Sequence, residues 1–339
     1  VATTPKGKGA FPERHPLSLR VFGIASAPQA EAYLLSGRVD VLLILGSGLH
    51  EISTQGWEAR LQPSAALIQQ DIDPAVIGRN YPVTTALVGD CRTTLRELIF
   101  HLRRLLSIGE HPPGGDAASF ARWKEAAVPV LDAERRESSA VPLLPQRVMA
   151  EIDSALPEDA LIFLDVGNHA LWALHHLTAT GRNAFIQNWG EFAAMGFGTA
   201  AAIGGKLAAP ERPVVAISGD GGFAMTGMEV LTATTYDIPV VWIVLNDARF
   251  NCVHHGQQMQ YAGRTIATEF RRMDGAGIAE SLGAGGRRIE RPGELSAALA
   301  EALASDRPTV LDVRIDADEV PPIHSRVRSL ERFFAGQGR

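Results

Sequence analysis

The chain has 339 residues, 46% of them hydrophobic and 21% charged, with a formal net charge of −6 and two cysteines, Cys91 and Cys252. That length exceeds one ordinary domain and predicts two. The acidic balance excludes a basic field for nucleic acid or anionic lipid; the longest apolar run, Ile238 to Leu245, falls far short of the roughly 20 residues of a spanning helix; and two cysteines cannot form a disulfide framework.

The stretch from Val1 to Gly9 has no apolar segment or small-residue cleavage site, so a cytoplasmic location is expected. A first alternation of strands and helices follows from about Val21 to Leu105. It holds a helix near Pro28–Leu35, a buried strand Val39–Leu45, a strand Ala66–Asp71 and a helix Thr93–Leu105. Residues 107–145 contain Pro112-Pro113-Gly114-Gly115 and a polar run rich in Glu and Arg, which predicts a connection holding a short helix.

A second alternation starts with a helix at Gln146–Ala155 and a strand at Ala160–Asp165. Helix Met195–Leu207, strand Val214–Ser218, helix Gly227–Tyr236 and strand Val240–Leu245 come next, then helix Gly293–Ala304 and strand Thr309–Ile315. Strands alternating with helices at this spacing predict an α/β protein of two doubly wound parallel-sheet domains. The expected division is 1–106, 107–145 as linker, 146–318, and a basic, Pro-punctuated tail at 319–339.

The chemistry concentrates where Val214 to Ser218 runs into Gly219-Asp220-Gly221-Gly222, and where the next strand ends in Asn246-Asp247. In a right-handed βαβ unit both strands point the same way, so Asp220 and Asp247 emerge together at the carboxyl edge of the sheet, where such sheets bind ligands. The glycines admit a phosphate close to the backbone. Two carboxylates would repel that phosphate unless a Mg²⁺ ion, which favours hard oxygen ligands, lies between them.

The Gly219-Asp220-Gly221 turn followed by Asn246-Asp247 resembles the thiamine-diphosphate signature of acetolactate synthases, pyruvate oxidases and benzoylformate decarboxylases. Val166-Gly167-Asn168-His169, ahead of a helix containing Trp172, is similar to that family's segment touching the diphosphate. Ala194-Met195-Gly196-Phe197-Gly198 is similar to the segment beside the bent cofactor, and Thr3-Thr4 through Gly9 with Phe11 to Pro16 resembles the family's middle domain.

The resemblance implies Mg²⁺ ligation by Asp220, Asp247 and the main-chain carbonyl of Arg249. It implies cofactor contacts from Gly167, Asn168, His169, Gly219, Asp220, Gly221, Gly222, Asn251 and Cys252, with Met195 propping the pyrimidine ring and the carbonyl near Ala193 accepting from its amino group. The family usually has Asn where this chain has Asp247, so a strict metal requirement is expected. The implied activity is decarboxylation of a 2-oxo acid followed by C–C bond formation, in a homodimer or homotetramer. The alternatives are decarboxylation without ligation, or a non-catalytic cofactor-binding fragment.

Several departures carry expectations of their own. The family's activating glutamate belongs to an N-terminal pyrimidine-binding domain of another subunit. By resemblance Val1 falls inside the middle domain, after its first strand and helix. A fragment or a separate N-terminal piece is therefore expected, inactive as this chain alone. Gly256 stands where acetolactate synthases usually carry a tryptophan that selects the acceptor, which implies a wider pocket. His254 and His255 are candidate proton donors or carboxylate binders, or else decorate a surface helix. Cys252 is expected to pack as a small residue rather than do redox chemistry.

His175 and His176 lack metal-ligand spacing and are expected on a partly exposed helix face. Glu191 is a pocket acid or a first-turn helix acid. Gly46-Ser47-Gly48 lacks the third glycine of a dinucleotide fingerprint, which argues against a nicotinamide dehydrogenase. Ser47-Gly48-Leu49-His50 replaces the loop whose arginine lies near FAD in acetolactate synthases, so FAD is not expected.

Overall fold

The computed structural model describes residues 1–107, 117–190 and 192–323. The Pro112-to-Gly115 stretch, Glu191 and the tail from 324 onward lie outside the described residues.

β1 (Ala2–Thr3) and β2 (Arg20–Val21) pair in parallel. α1 (Pro28–Leu34) begins at a proline, whose fixed φ suits a helix's first turn. β3 (Val41–Leu45), β4 (Ala66–Asp71) and β5 (Thr85–Val88) form a parallel three-stranded sheet in that order. α2 (Cys91–Leu106) starts where the Asp90 carboxylate accepts the Thr93 N–H at 2.9 Å. α3 (Ala117–Ala126) follows.

One face of this sheet, with Leu42, Ile44 and Leu67, packs on a core that includes Ala30, Leu35 and Tyr81. The other face corrects the expectation of a buried strand, because Val41, Leu43 and Leu45 are 50%, 38% and 38% exposed. β3 is an edge strand, and among the described residues nothing covers its outward side.

The remaining elements are α4 (Pro145–Ala155), β6 (Leu161–Leu164), α5 (Asn168–His176), β7 (Ala184–Gln187), α6 (Phe197–Ala208), β8 (Val214–Gly219), α7 (Asp220–Thr226), α8 (Val230–Thr235), β9 (Val241–Asn246), α9 (Asn251–Gln260), α10 (Gly275–Ser281), β10 (Gly285–Ile289), α11 (Glu294–Leu303) and β11 (Thr309–Arg314). The helix expected over Gly227–Tyr236 starts as a short 3₁₀ turn, Gly227–Glu229, and continues as α8, while α7 precedes it as a separate helix that the sequence pattern does not predict.

Six of these strands form one parallel sheet in the order β10-β11-β9-β8-β6-β7. Side chains alternate between its faces. Ile162, Val215, Ile217, Ile243 and Leu311 pack with α4, α5 and α11, whereas Phe163, Ala216, Trp242 and Val310 pack with α6, α8 and α10. Burial on both faces explains why these strands read as continuous apolar runs. From β6 the chain steps to β7 on one side, then returns to β8 on the other. That reversal opens a crevice between the carboxyl ends of β6 and β8. No helix among the described residues is long and apolar enough to cross a membrane.

Candidate functional site

A cavity of about 690 Å³ occupies this crevice. Gly167, Asn168 and His169 line it from the start of α5, Ala193 and Met195 from the loop before α6, and Gly219 to Gly222 from the start of α7. Asp247, Arg249, Asn251 and Cys252 complete the wall after β9, so the segments expected to contact cofactor and metal all meet here. The turn at Gly221 is tight: a Cβ there would stand 2.6 Å from Cε1 of Phe250.

Asp220 is 1% exposed and Asp247 9%. The carboxylate of Asp220 accepts the Gly221 N–H at 2.8 Å and the Ala248 N–H at 2.7 Å. That of Asp247 accepts the Arg249 N–H at 3.2 Å and Nδ2 of Asn251 at 2.7 Å. Burial, and then the neighbouring charge of Asp247, push the Asp220 carboxyl up to about 7. Burial also raises Asp247, against the hydrogen bond from Asn251. A buried pair that resists double ionisation is an electrostatic setting in which a divalent cation is favoured.

Among the described residues no group of three or more His, Cys, Asp or Glu side chains is arranged to hold a metal. A cation here would therefore rest on two carboxylates, a main-chain carbonyl and oxygens of its ligand. The side chain of Arg249 is turned to other work, donating to Asp318 at 2.8 Å and pairing with Glu269 at 3.3 Å.

Oδ1 of Asn168, Nε2 of His169 and Oδ1 of Asn251 are buried without a protein hydrogen-bond partner, and all three residues line the cavity. These atoms belong to the starts of α5 and α9; the two Oδ1 atoms can accept from a donor or face a cation, and Nε2 of His169 can donate when it carries the proton. Burial lowers the His169 imidazole, with the Asp165 charge opposing it, which favours a neutral ring. Met195 is 38% exposed at the mouth, and Cys252, also exposed, lines the wall rather than packing in a core.

His254 and His255 are buried and do not border the cavity. Nδ1 of His254 lies 2.8 Å from Oγ1 of Thr268, and Nδ1 of His255 lies 3.1 Å from Nδ2 of Asn168. Each thus stands one side chain behind a lining residue. Burial, then His254, lowers the His255 imidazole.

His175 and His176 correct their expectation: they are 1% and 2% exposed. α5 is enclosed between the large sheet and the N-terminal segment, where Arg20 donates to the carbonyls of His175 and Leu177 at 3.1 Å each. The Gly46-Ser47-Gly48 turn does not line the crevice; Gln69 and Asn80 hold it through the carbonyls of Ser47 and Gly48 at 2.9 and 2.7 Å. Sequence reasoning missed Phe250, Gln257, Thr268 and Glu319 in the cavity wall. It also missed Asp165, whose position at a strand end just before Val166-Gly167 was the available signal.

Residues 1–98 match the profile of the thiamine pyrophosphate enzyme central domain, and residues 165–313 that of the thiamine pyrophosphate enzyme C-terminal TPP binding domain. A probable acetolactate synthase large subunit of Methanococcus aeolicus is 33% identical over 339 residues, covering 95% of this chain and 55% of that protein. A putative thiamine pyrophosphate-containing protein, YdaP, of Bacillus subtilis is 33% identical over 336 residues, covering 96% of this chain and 54% of its own length. An acetolactate synthase of Mycobacterium bovis is 32% identical over 349 residues, covering 100% and 54%. The chain thus spans about half the length of these curated relatives. Two profiles of one enzyme family, the central domain and after it the C-terminal domain whose residues build most of the crevice, make the chain a member of the thiamine pyrophosphate enzyme family.

Proposed function

We propose that this chain provides the diphosphate- and Mg²⁺-binding part of a carboligase that acts on 2-oxo acids. The observation that carries the reading is the buried pair Asp220 and Asp247 at the ends of neighbouring strands, both lining the cavity. When bound, thiamine diphosphate supplies the electron sink for 2-oxo acid decarboxylation. Asp220, Asp247 and the carbonyl of Arg249 hold the cation that tethers the diphosphate. Gly221 and Gly222 keep the backbone close to it, Nε2 of His169 donates to one of its oxygens, and Asn168 and Asn251 border it with amide oxygens that can face only a cation or a donor. Ala193 and Met195 hold the ring portion.

His255 orients Asn168 and His254 orients Thr268, so both histidines act on the cavity through a neighbour. Carboligation is favoured over simple decarboxylation because two of the compared relatives carry acetolactate synthase names; Gly256, expected to widen the pocket, does not line the cavity. Turnover is proposed for a homodimer or homotetramer in which an N-terminal pyrimidine-binding domain supplies the activating glutamate.

Titrating thiamine diphosphate into the chain with and without Mg²⁺, read by the fluorescence of Trp172 in the cavity wall, tests the reading. Binding is expected only with the metal, and Asp220→Ala is expected to weaken it at least about 100-fold by removing a charged ligand. Metal-independent binding would refute it.

A further inference from the structure

Asp165 follows β6 at the point where the strand order reverses, and its side chain is fully buried. Its carboxylate accepts main-chain N–H groups, from Val166 at 2.8 Å and from Gly196 at 2.9 and 3.0 Å to its two oxygens. Gly196 ends the loop that brings Ala193 and Met195 to the cavity. Burial does not hold that loop, since Phe192 is 92% and Met195 38% exposed. Yet Ala193 has φ 47°, a left-handed conformation that a residue with a Cβ keeps only where its surroundings impose it.

Three side chains hold the loop at Ala194 and Gly196. Nδ2 of Asn188 donates to the Ala194 carbonyl at 3.1 Å and Oγ1 of Thr226 donates to the Gly196 carbonyl at 3.1 Å, both from half-buried positions, and Asp165 alone is fully enclosed. The packing around Asp165 has no slack. A Cβ at Gly222 would stand 2.5 Å from Oδ2 of Asp165, and one at Gly198 would stand 2.7 Å from its amide nitrogen. One carboxylate therefore touches both the loop of Ala193 and Met195 and the glycine turn that follows β8.

We propose that Asp165 is a positioning residue that fixes the 193–196 loop relative to the glycine turn, so that capture of the cofactor's ring portion depends on it more than capture of its diphosphate does. The inference rests on the thiamine diphosphate reading above. A buried carboxylate holds an N–H about twice as strongly as a neutral acceptor does. Asparagine keeps the size of the side chain but turns one acceptor into a donor. With the amide oxygen in the place of Oδ1 both N–H groups keep only a neutral acceptor, and the NH₂ in the place of Oδ2 faces the Gly196 N–H, so the loop's enclosed tether weakens.

The test titrates the wild-type chain, Asp165→Asn and Thr226→Val with thiamine diphosphate and, separately, with inorganic pyrophosphate, both with Mg²⁺. Thiamine diphosphate affinity is expected to fall about tenfold in Asp165→Asn and about threefold in Thr226→Val, with pyrophosphate affinity unchanged in Thr226→Val and falling less than thiamine diphosphate affinity in Asp165→Asn, the thermal transition being retained. Thr226→Val reaches the same loop from a half-buried site should Asp165→Asn not fold. Equal weakening of both ligands, or unchanged thiamine diphosphate affinity in Thr226→Val and in any folded Asp165→Asn, would overturn the positioning role. A wild-type chain that binds pyrophosphate but not thiamine diphosphate would overturn the cofactor reading and this inference with it.

Discussion

Asp220 and Asp247 are costly to ionise together, because burial and mutual repulsion act in the same direction. Replacing Asp247 with Asn keeps an oxygen ligand and removes one of the two charges. Asp247→Asn is therefore expected to raise the thermal transition of the ligand-free chain while Mg²⁺-dependent cofactor affinity stays within about threefold. A large loss of affinity would show that the second charge is itself required.

His175 provides a separate, pH-dependent prediction. Nε2 accepts the Leu131 N–H at 2.8 Å and Nδ1 faces the Ala25 carbonyl at 3.2 Å, an arrangement only the neutral ring satisfies. Burial lowers its imidazole to about 4, against roughly 6.5 in an unfolded chain. Between those values the unfolded chain binds a proton that the folded chain does not, so stability is fully present above the higher value and falls as pH drops toward the lower. The loss amounts to about 3 kcal/mol by pH 4. Urea unfolding at pH 7 and pH 5 is expected to show a smaller acid loss in His175→Gln than in wild type; equal losses would contradict the assignment.

At the scale of elements, β3 separates what sequence pattern discloses from what it does not. Leu42 and Ile44 face a core, while Val41, Leu43 and Leu45 face outward, yet all five are apolar. An unbroken apolar run reads as a strand buried on both faces, and only the lack of a covering element over Val41, Leu43 and Leu45 among the described residues reveals that one face is open. Leu67→Ala, on the inner face, is expected to destabilise the chain by about 2–5 kcal/mol, whereas Leu43→Glu is expected to change stability by no more than about 0.5 kcal/mol. Chemical unfolding of the two variants checks this, and a large loss in Leu43→Glu would mean that the outer face is covered in solution. α5 failed in the opposite sense. His175 and His176 read as surface residues because nothing near them in sequence signals the Arg20 and Ala25 segment that encloses them.

Across the whole molecule, the large parallel sheet was legible because strands such as Val214–Gly219 and Val241–Asn246 are short, apolar and separated by helices. β7 and β10 escaped because Ala184–Gln187 and Gly285–Ile289 are short and mixed in polarity. The acids at the strand ends were legible through their placement after strands β8 and β9, but the Asp165 tether was not, since it joins residues 31 apart through a loop without regular structure.

The most direct test of the account is a crystal structure with thiamine diphosphate and Mn²⁺, the latter located by its anomalous signal. The account predicts the ion between the side chains of Asp220 and Asp247, at roughly the 2.0–2.2 Å expected of such a ligand set, with a diphosphate oxygen on its open side. An ion elsewhere, or a diphosphate seated in the crevice without contact to that ion, would contradict it.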